Sequence, residues 1–168
     1  LLSTSIEQSR FEPWFQLKVD ANGCIVGAEA LVRWRHPSGQ IKAPGYFIEI
    51  AEKNGSIDRI GDIMLRATCR AASDWHRRGL LQVPISVNLS PRQFGKETLI
   101  EDIRSILLEE NMDPRLVEFE ITESGMMENE QEGIRKLNQL KDLGSSVSID
   151  DFGTGYSSFS KLKDFPID

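Results

Sequence analysis

Two β-rich runs open the pattern, residues 11 to 20 and 24 to 34, separated by Ala21-Asn22-Gly23. Asn-Gly between two such runs signals a hairpin, because both residues tolerate the positive φ of a tight turn. The period then lengthens. Pro44 is placed to open a helix through Ala51, with Asn54-Gly55 as its stop. Residues 57 to 78 follow as a longer helix with Ile60, Met64, Ala67, Ala71 and Trp75 on one core-facing stripe and Gly79 as terminator.

From residue 83 short apolar runs alternate with helical periods. Strands are predicted over 83 to 88, 116 to 122 and 146 to 150. Helices are predicted over 97 to 110, with Leu99, Ile103, Ile106 and Leu107 inward, over 130 to 143, with Ile134, Leu137 and Leu140 inward, and briefly over 157 to 164. Repeated βα units of this length imply a parallel sheet and an α/β fold. Ser90-Pro91-Arg92-Gln93 has the layout of a helix start: Ser90 as N-cap, Pro91 at the first position, Gln93 closing a capping box. No linker, low-complexity tract or tandem repeat interrupts the pattern.

In parallel α/β folds, ligands bind where the carboxyl ends of the strands converge. Asn88 and the Asp150-Asp151 pair fall at such ends, Glu120 lies near one, and each step between them is about one βα unit. Glu29, in Ala28-Glu29-Ala30-Leu31, adds another carboxylate within an apolar run. Carboxylates gathered away from water repel one another unless a cation joins them, so convergence of this set implies a metal. With two histidines and two cysteines in the chain, the donors are oxygens, which suit magnesium, manganese or calcium better than zinc.

Each residue also has a plainer reading. Glu29, Leu31 and Arg33 share one strand face, so Glu29 and Arg33 either hold a metal and a phosphate or form a solvated ion pair. Asp150-Asp151 before Phe152-Gly153-Thr154-Gly155-Tyr156-Ser157-Ser158 is either a pair of cation ligands or an acidic helix-capping turn. Glu120, between Phe119 and Ile121 on a strand expected to be buried, needs a partner; Glu118 lies on the same face, and Glu123 reads as a loop organiser. His36 reads as structural and His76 as favourable to a helix dipole. Trp14, Trp34 and Trp75 read as core, and Cys24 and Cys69 as reduced packing residues.

Composition narrows the class. The 168 residues, 39% hydrophobic and 27% charged, suit one soluble globular domain, and a net charge of −6 argues against binding a DNA or RNA polymer. No run approaches the ~20 apolar residues that cross a bilayer, so no membrane contact is expected of this domain and the setting is expected to be cytoplasmic. Both ends read as cuts through a longer polypeptide, whose parent could be membrane-tethered.

Taken together, Glu29-Ala30-Leu31-Val32-Arg33-Trp34-Arg35-His36-Pro37, Val87-Asn88-Leu89-Ser90, Glu120-Ile121-Thr122-Glu123-Ser124 and Asp150 to Ser158 resemble the EAL family of bacterial cyclic di-GMP phosphodiesterases, in order and spacing from about Phe11 to Asp168. The resemblance implies a TIM-like (β/α) barrel with an antiparallel first strand, incomplete in this chain, and hydrolysis of cyclic di-GMP to linear pGpG with two magnesium or manganese ions. It implies Glu29, Asn88, Glu120 and Asp150 as metal ligands and Asp151 as ligand to the second ion. Arg33 and the backbone near Leu31 would hold a substrate phosphate, and Gln16 would meet a guanine. Glu123 would steady the loop from Asp150 through Phe152, Gly153, Thr154, Gly155, Tyr156, Ser157 and Ser158, which lies at a homodimer interface in this family.

There are two departures. Leu17 stands where the family usually has proline, and the chain stops before the family's next strand, with its water-orienting lysine, and before a later metal-binding glutamate. A barrel takes about 250 residues. The expectation is therefore a partial EAL domain over residues 1 to 168, about two thirds of a barrel, with weak or absent turnover by the piece alone. The alternatives are a catalytically silent cyclic di-GMP receptor and a protein-interaction or dimerisation module.

Overall fold

The computed structural model describes residues 1–123, 125, 129–150 and 165–167. The expected hairpin is formed by β1 (Phe11–Val19) and β2 (Ile25–Arg35), antiparallel, with Gly23 at φ 81° in the turn. A two-residue strand, β3 (Ile41–Lys42), pairs with Trp34 and Arg35. The parallel part follows: β4 (Ile85–Leu89) beside β2, β5 (Val117–Thr122) beside β4, and β6 (Ser146–Asp150) beside β5. Sheet order is β1-β2-β4-β5-β6, with the first strand antiparallel to its neighbour as expected.

A helix α1 (Leu2–Glu7) precedes β1, and helices occupy the connections: α2 (Ile48–Asn54), α3 (Ser56–Arg77), α4 (Pro91–Gly95), α5 (Leu99–Glu109) and α6 (Glu130–Asp142). Pro44 opens a 3-10 turn rather than the helix itself, which starts four residues later. Gly55, at φ 79°, ends α2 and lets α3 begin at the next residue. The first helix and the two-residue strand are additions to the expected elements. The expected helix over 157 to 164 lies outside the described residues.

Strand alternation gives the sheet two unlike faces. Ala28, Ala30, Ile85, Val87, Leu89, Val117, Phe119, Ile121 and Val147 are all buried and form one core with the helices. The opposite face carries Glu29, Ser86, Asn88, Glu118, Glu120, Ser148 and Asp150, and Ser86 and Glu120 are buried there too. That face is an interior because the sheet curls. Lys18 on β1 reaches Glu120 on β5 over 2.6 Å, whereas three strand spacings in a flat sheet would separate those strands by about 14 Å.

Three core expectations are corrected. The buried stripe of α3 is Ile57, Ile60, Met64, Leu65, Thr68, Cys69 and Ala72, while Ala67, Ala71 and Trp75 are half-buried. At about 100° per residue, Ala67 lies about 60° to one side of Met64 and Thr68 about 40° to the other; the buried face continues through Thr68, Cys69 and Ala72, and the expected positions fall on its flank. Cys24 is exposed beside the hairpin turn, whereas Cys69 is buried. Trp34 is core, Trp75 packs edge-on to Phe15 at 4.6 Å, but Trp14 points along the polar face of β1 and is 50% exposed.

Candidate cation and phosphate site

The polar face carries the expected ligands on four neighbouring strands, Asn88, Glu120 and Asp150 toward the carboxyl ends of β4, β5 and β6 and Glu29 near the middle of β2. Asn88 is the register partner of Glu120, Asp150 of Thr122, and Glu29 of Ser86. Asn88 donates from Nδ2 to Glu29 Oε1 at 2.9 Å, joining β4 to β2. A cleft of about 340 Å³ at these strand ends is lined by Glu29, Leu31, Asn88, Ser90, Thr122 and Asp150, among others. Glu120 stands beside Asn88 but does not line the cleft, and it is 8% exposed.

Glu120 has the partner that its burial demands, and the partner is Lys18. The ammonium donates to Glu120 Oε1 at 2.6 Å and to Ser86 Oγ at 2.5 Å, and lies 3.8 Å from Glu118 Oε2. Ser86 Oγ donates in turn to Glu118 Oε2 at 2.9 Å. Burial, the largest influence on the Lys18 ammonium, pulls its pKa down. The hydrogen bond and charge of Glu120, with the charges of Glu118 and Glu29, outweigh it and leave the pKa above the usual lysine value. The charge compensation expected of a metal is supplied here in part by a side chain.

Among the described residues, no three histidine, cysteine or acidic side chains close on one point as a metal cluster. Glu29 is engaged by Asn88 and Glu120 by Lys18, and Asp151 lies outside the described residues. The donor chemistry nevertheless fits a hard divalent cation: Glu29, Glu120 and Asp150 offer carboxylate oxygens, and Asn88, whose Nδ2 is committed to Glu29, offers its amide oxygen.

The remaining site residues are distributed as follows. Gln16 is exposed and is the register partner of Glu29. Arg33 does not pair with Glu29; its guanidinium lies 5.5 Å from the Trp14 ring centre, and Nη1 donates to Val32 O at 2.9 Å. Glu123 is buried. The segment from Phe152 to Ser158 lies outside the described residues. His36 is structural: Nδ1 is 2.7 Å from Ser38 Oγ, and the ring meets Trp34 edge-on.

The strand end carrying Asn88 is fixed by the expected capping box. Gln93 N donates to Ser90 Oγ at 3.3 Å, and Ser90 N donates to Gln93 Oε1 at 3.1 Å. Gln93 lies against α3 at Gly61, where a Cβ would come within 1.8 Å of Gln93 Nε2. Lys136 of α6, 1% exposed, donates to Phe94 O at 2.6 Å and Lys96 O at 2.9 Å, satisfying carbonyls at the end of α4.

Sequence reasoning does not single out Lys18 or Ser86. The period-two placement of Lys18 on the face of Gln16 is visible in the sequence, but the curl that carries it to β5 is not.

Oxygen donors at the carboxyl ends of parallel strands, with the first strand reversed, define an α/β barrel-type domain with a ligand site at one mouth. A family model described as EAL domain matches residues 1–168. The signaling protein YkoW of Bacillus subtilis is 42% identical over 171 residues, covering 99% of this chain and 21% of that protein. The bifunctional diguanylate cyclase/cyclic di-GMP phosphodiesterase MucR of Pseudomonas aeruginosa is 40% identical over 166 residues, covering 98% of this chain and 24% of that protein. A solved PaMucR phosphodiesterase, in complex with c-di-GMP, matches with a TM-score of 0.93 and 40% identity over 99% of this chain and 68% of that one.

The chain belongs to the EAL domain family, whose solved members share a TIM-like barrel fold. It spans about a fifth to a quarter of the length of these curated relatives. No helix among the described residues is long and apolar enough to cross a membrane.

Proposed function

We propose that this chain carries the cation and substrate site of a divalent-metal-dependent phosphodiesterase that hydrolyses cyclic di-GMP to linear pGpG. One observation carries the reading: Glu29, Asn88 and Asp150 line one cleft, with Glu120 beside Asn88 in register, in a chain 40% identical to a relative named for this activity. Glu29, Asn88, Glu120 and Asp150 would hold magnesium or manganese, with Asp151 toward a second ion. Bound cations of this kind polarise a phosphoryl oxygen and make water nucleophilic near neutral pH.

The chain's own residues do the rest. Arg33, in contact with Trp14, would add charge stabilisation at a substrate phosphate, and the backbone near Leu31 would orient it. Gln16, exposed across from Glu29, is assigned to a guanine edge. Hydrolysis adds one water across a P–O bond: the water oxygen joins phosphorus, the ribose oxygen leaves, and the leaving oxygen takes up a proton. We assign the segment from Asp150 to Ser158, with Glu123, to a homodimer contact.

Incubating the full-length protein with cyclic di-GMP and magnesium, then resolving the nucleotides by chromatography, tests this reading. Linear pGpG is expected. Nucleotide binding that survives chelation, without product, would make the domain a receptor, and absence of nucleotide binding would make it a protein-interaction module.

A further inference from the structure

Lys18 sits on β1, antiparallel to β2, yet its ammonium ends among the acids of β4 and β5. Its stem lies across Gly27, with Lys18 Cδ at ordinary contact distance (3.5 Å) from where a Cβ would stand, and the β1 register shifts directly after it. The ammonium bonds Glu120 Oε1 and Ser86 Oγ, and Ser86 Oγ bonds Glu118 Oε2. Glu120 and Ser86 are both buried, so water offers neither an easy alternative partner. A surface ion pair of two mobile chains would fix little, but this lysine, itself partly exposed, ends on a buried carboxylate and a buried hydroxyl.

We infer that Lys18 is a positioning residue for the cation site: it clamps Glu120 through Oε1, leaving Oε2 as the oxygen offered to a divalent cation. The inference rests on the metal reading above and concerns how that site is held rather than what it hydrolyses. A carboxylate free to rotate must be ordered when the cation arrives, whereas one already held by a neighbouring donor is oriented beforehand. Lys18 adds a positive charge near the site and so opposes a cation electrostatically; the ordering of Glu120 outweighs that opposition.

The test is Mn²⁺ binding to the full-length protein, followed by the EPR signal of free Mn²⁺, in wild type, Lys18→Met, Lys18→Arg and Ser86→Ala. Loss of an outer partner of a metal ligand typically weakens binding by about 10- to 100-fold, and Lys18→Met is expected to fall in that range. Lys18→Arg, which keeps a charged donor on a stiffer head, is expected to restore binding to within about tenfold of wild type. Lys18→Met binding Mn²⁺ as well as wild type, or more tightly, would overturn the inference by making Lys18 a structural ion pair or a competitor. Should Lys18→Met fail to fold, Ser86→Ala decides: weaker Mn²⁺ binding is expected, and unchanged binding overturns the inference. Wild type binding no Mn²⁺ would overturn the metal reading and the inference together, whereas binding by wild type that Lys18→Met leaves intact removes only the role of Lys18.

Discussion

Asn88 and Glu29, 59 positions apart in the chain, are joined by a 2.9 Å hydrogen bond from Nδ2 to Oε1 across the β2–β4 boundary. The bond makes the amide a neutral bridge beside a carboxylate. Replacing it with a second carboxylate, Asn88→Asp, sets two like charges at hydrogen-bonding distance. The variant is expected to lose about 1–3 kcal/mol in chelator, as for a lost bond to a charged group. Magnesium is expected to restore part of that loss. Urea denaturation with and without magnesium measures both; equal stability of variant and wild type in chelator would contradict the bridge.

Gly61 and Gln93 form a second pair in which one residue exists for the other. A Cβ at position 61 would stand 1.8 Å from Gln93 Nε2, and Gln93 closes the capping box that follows Asn88. Gly61→Ala would ordinarily favour a helix by about 1 kcal/mol, yet it displaces the Gln93 amide from its capping box and is expected to forfeit that gain. Adding Gln93→Ala removes the clash, so the double variant is expected to be more stable than the sum of the two single changes predicts. Chemical denaturation of all four proteins measures the coupling.

Lys136 is buried, and its ammonium serves Phe94 O and Lys96 O. Lys136→Met leaves those carbonyls without this donor and is expected to cost about 1–3 kcal/mol at neutral pH. Burial, the largest influence, holds the Lys136 pKa below the ordinary lysine value of 10.5, with the charge of Glu132 opposing it. Between the folded and the ordinary value the unfolded chain binds more protons, so this group makes stability rise with pH through that window. The difference between wild type and Lys136→Met is therefore expected to widen as pH approaches about 10.5; a constant or shrinking difference would contradict the direction of the shift.

The two cysteines are expected to react unequally. Burial pushes the Cys69 thiol up to about 12, while Cys24 is exposed at the hairpin. At pH 8 a thiol reagent is expected to label the native protein once, at Cys24, and twice only after denaturation, because thiolate and access are both required. Mass spectrometry of the labelled peptides reads the outcome, and rapid native labelling of Cys69 would contradict the packing of α3.

Much of this architecture is written locally in the chain. Asn22-Gly23 marks the β1–β2 turn, Ser90-Pro91-Gln93 marks the α4 cap, and the apolar runs around Val87, Phe119 and Val147 mark the parallel strands. Glu29, Asn88, Glu120 and Asp150 are likewise visible as polar residues in or beside those runs. The link from Lys18 to Glu120 spans 102 positions and depends on how far the sheet curls, which no local period encodes. Leu2 and Ile6 are too few to establish a helical period for α1, and β3 is too short for any strand pattern. Trp14 misled because an aromatic residue suits both a core and a rim, and strand parity alone places it beside Arg33.

The most direct measurement is the rate of linear pGpG formation from cyclic di-GMP by the full-length protein, with magnesium or with chelator, for wild type and Glu29→Ala. The oxygen-donor site proposed here predicts turnover by wild type with magnesium, none in chelator, and a loss of at least about a thousandfold in Glu29→Ala, on the scale of losing a metal-held transition state. Equal rates for wild type and Glu29→Ala, or full turnover in chelator, would contradict it.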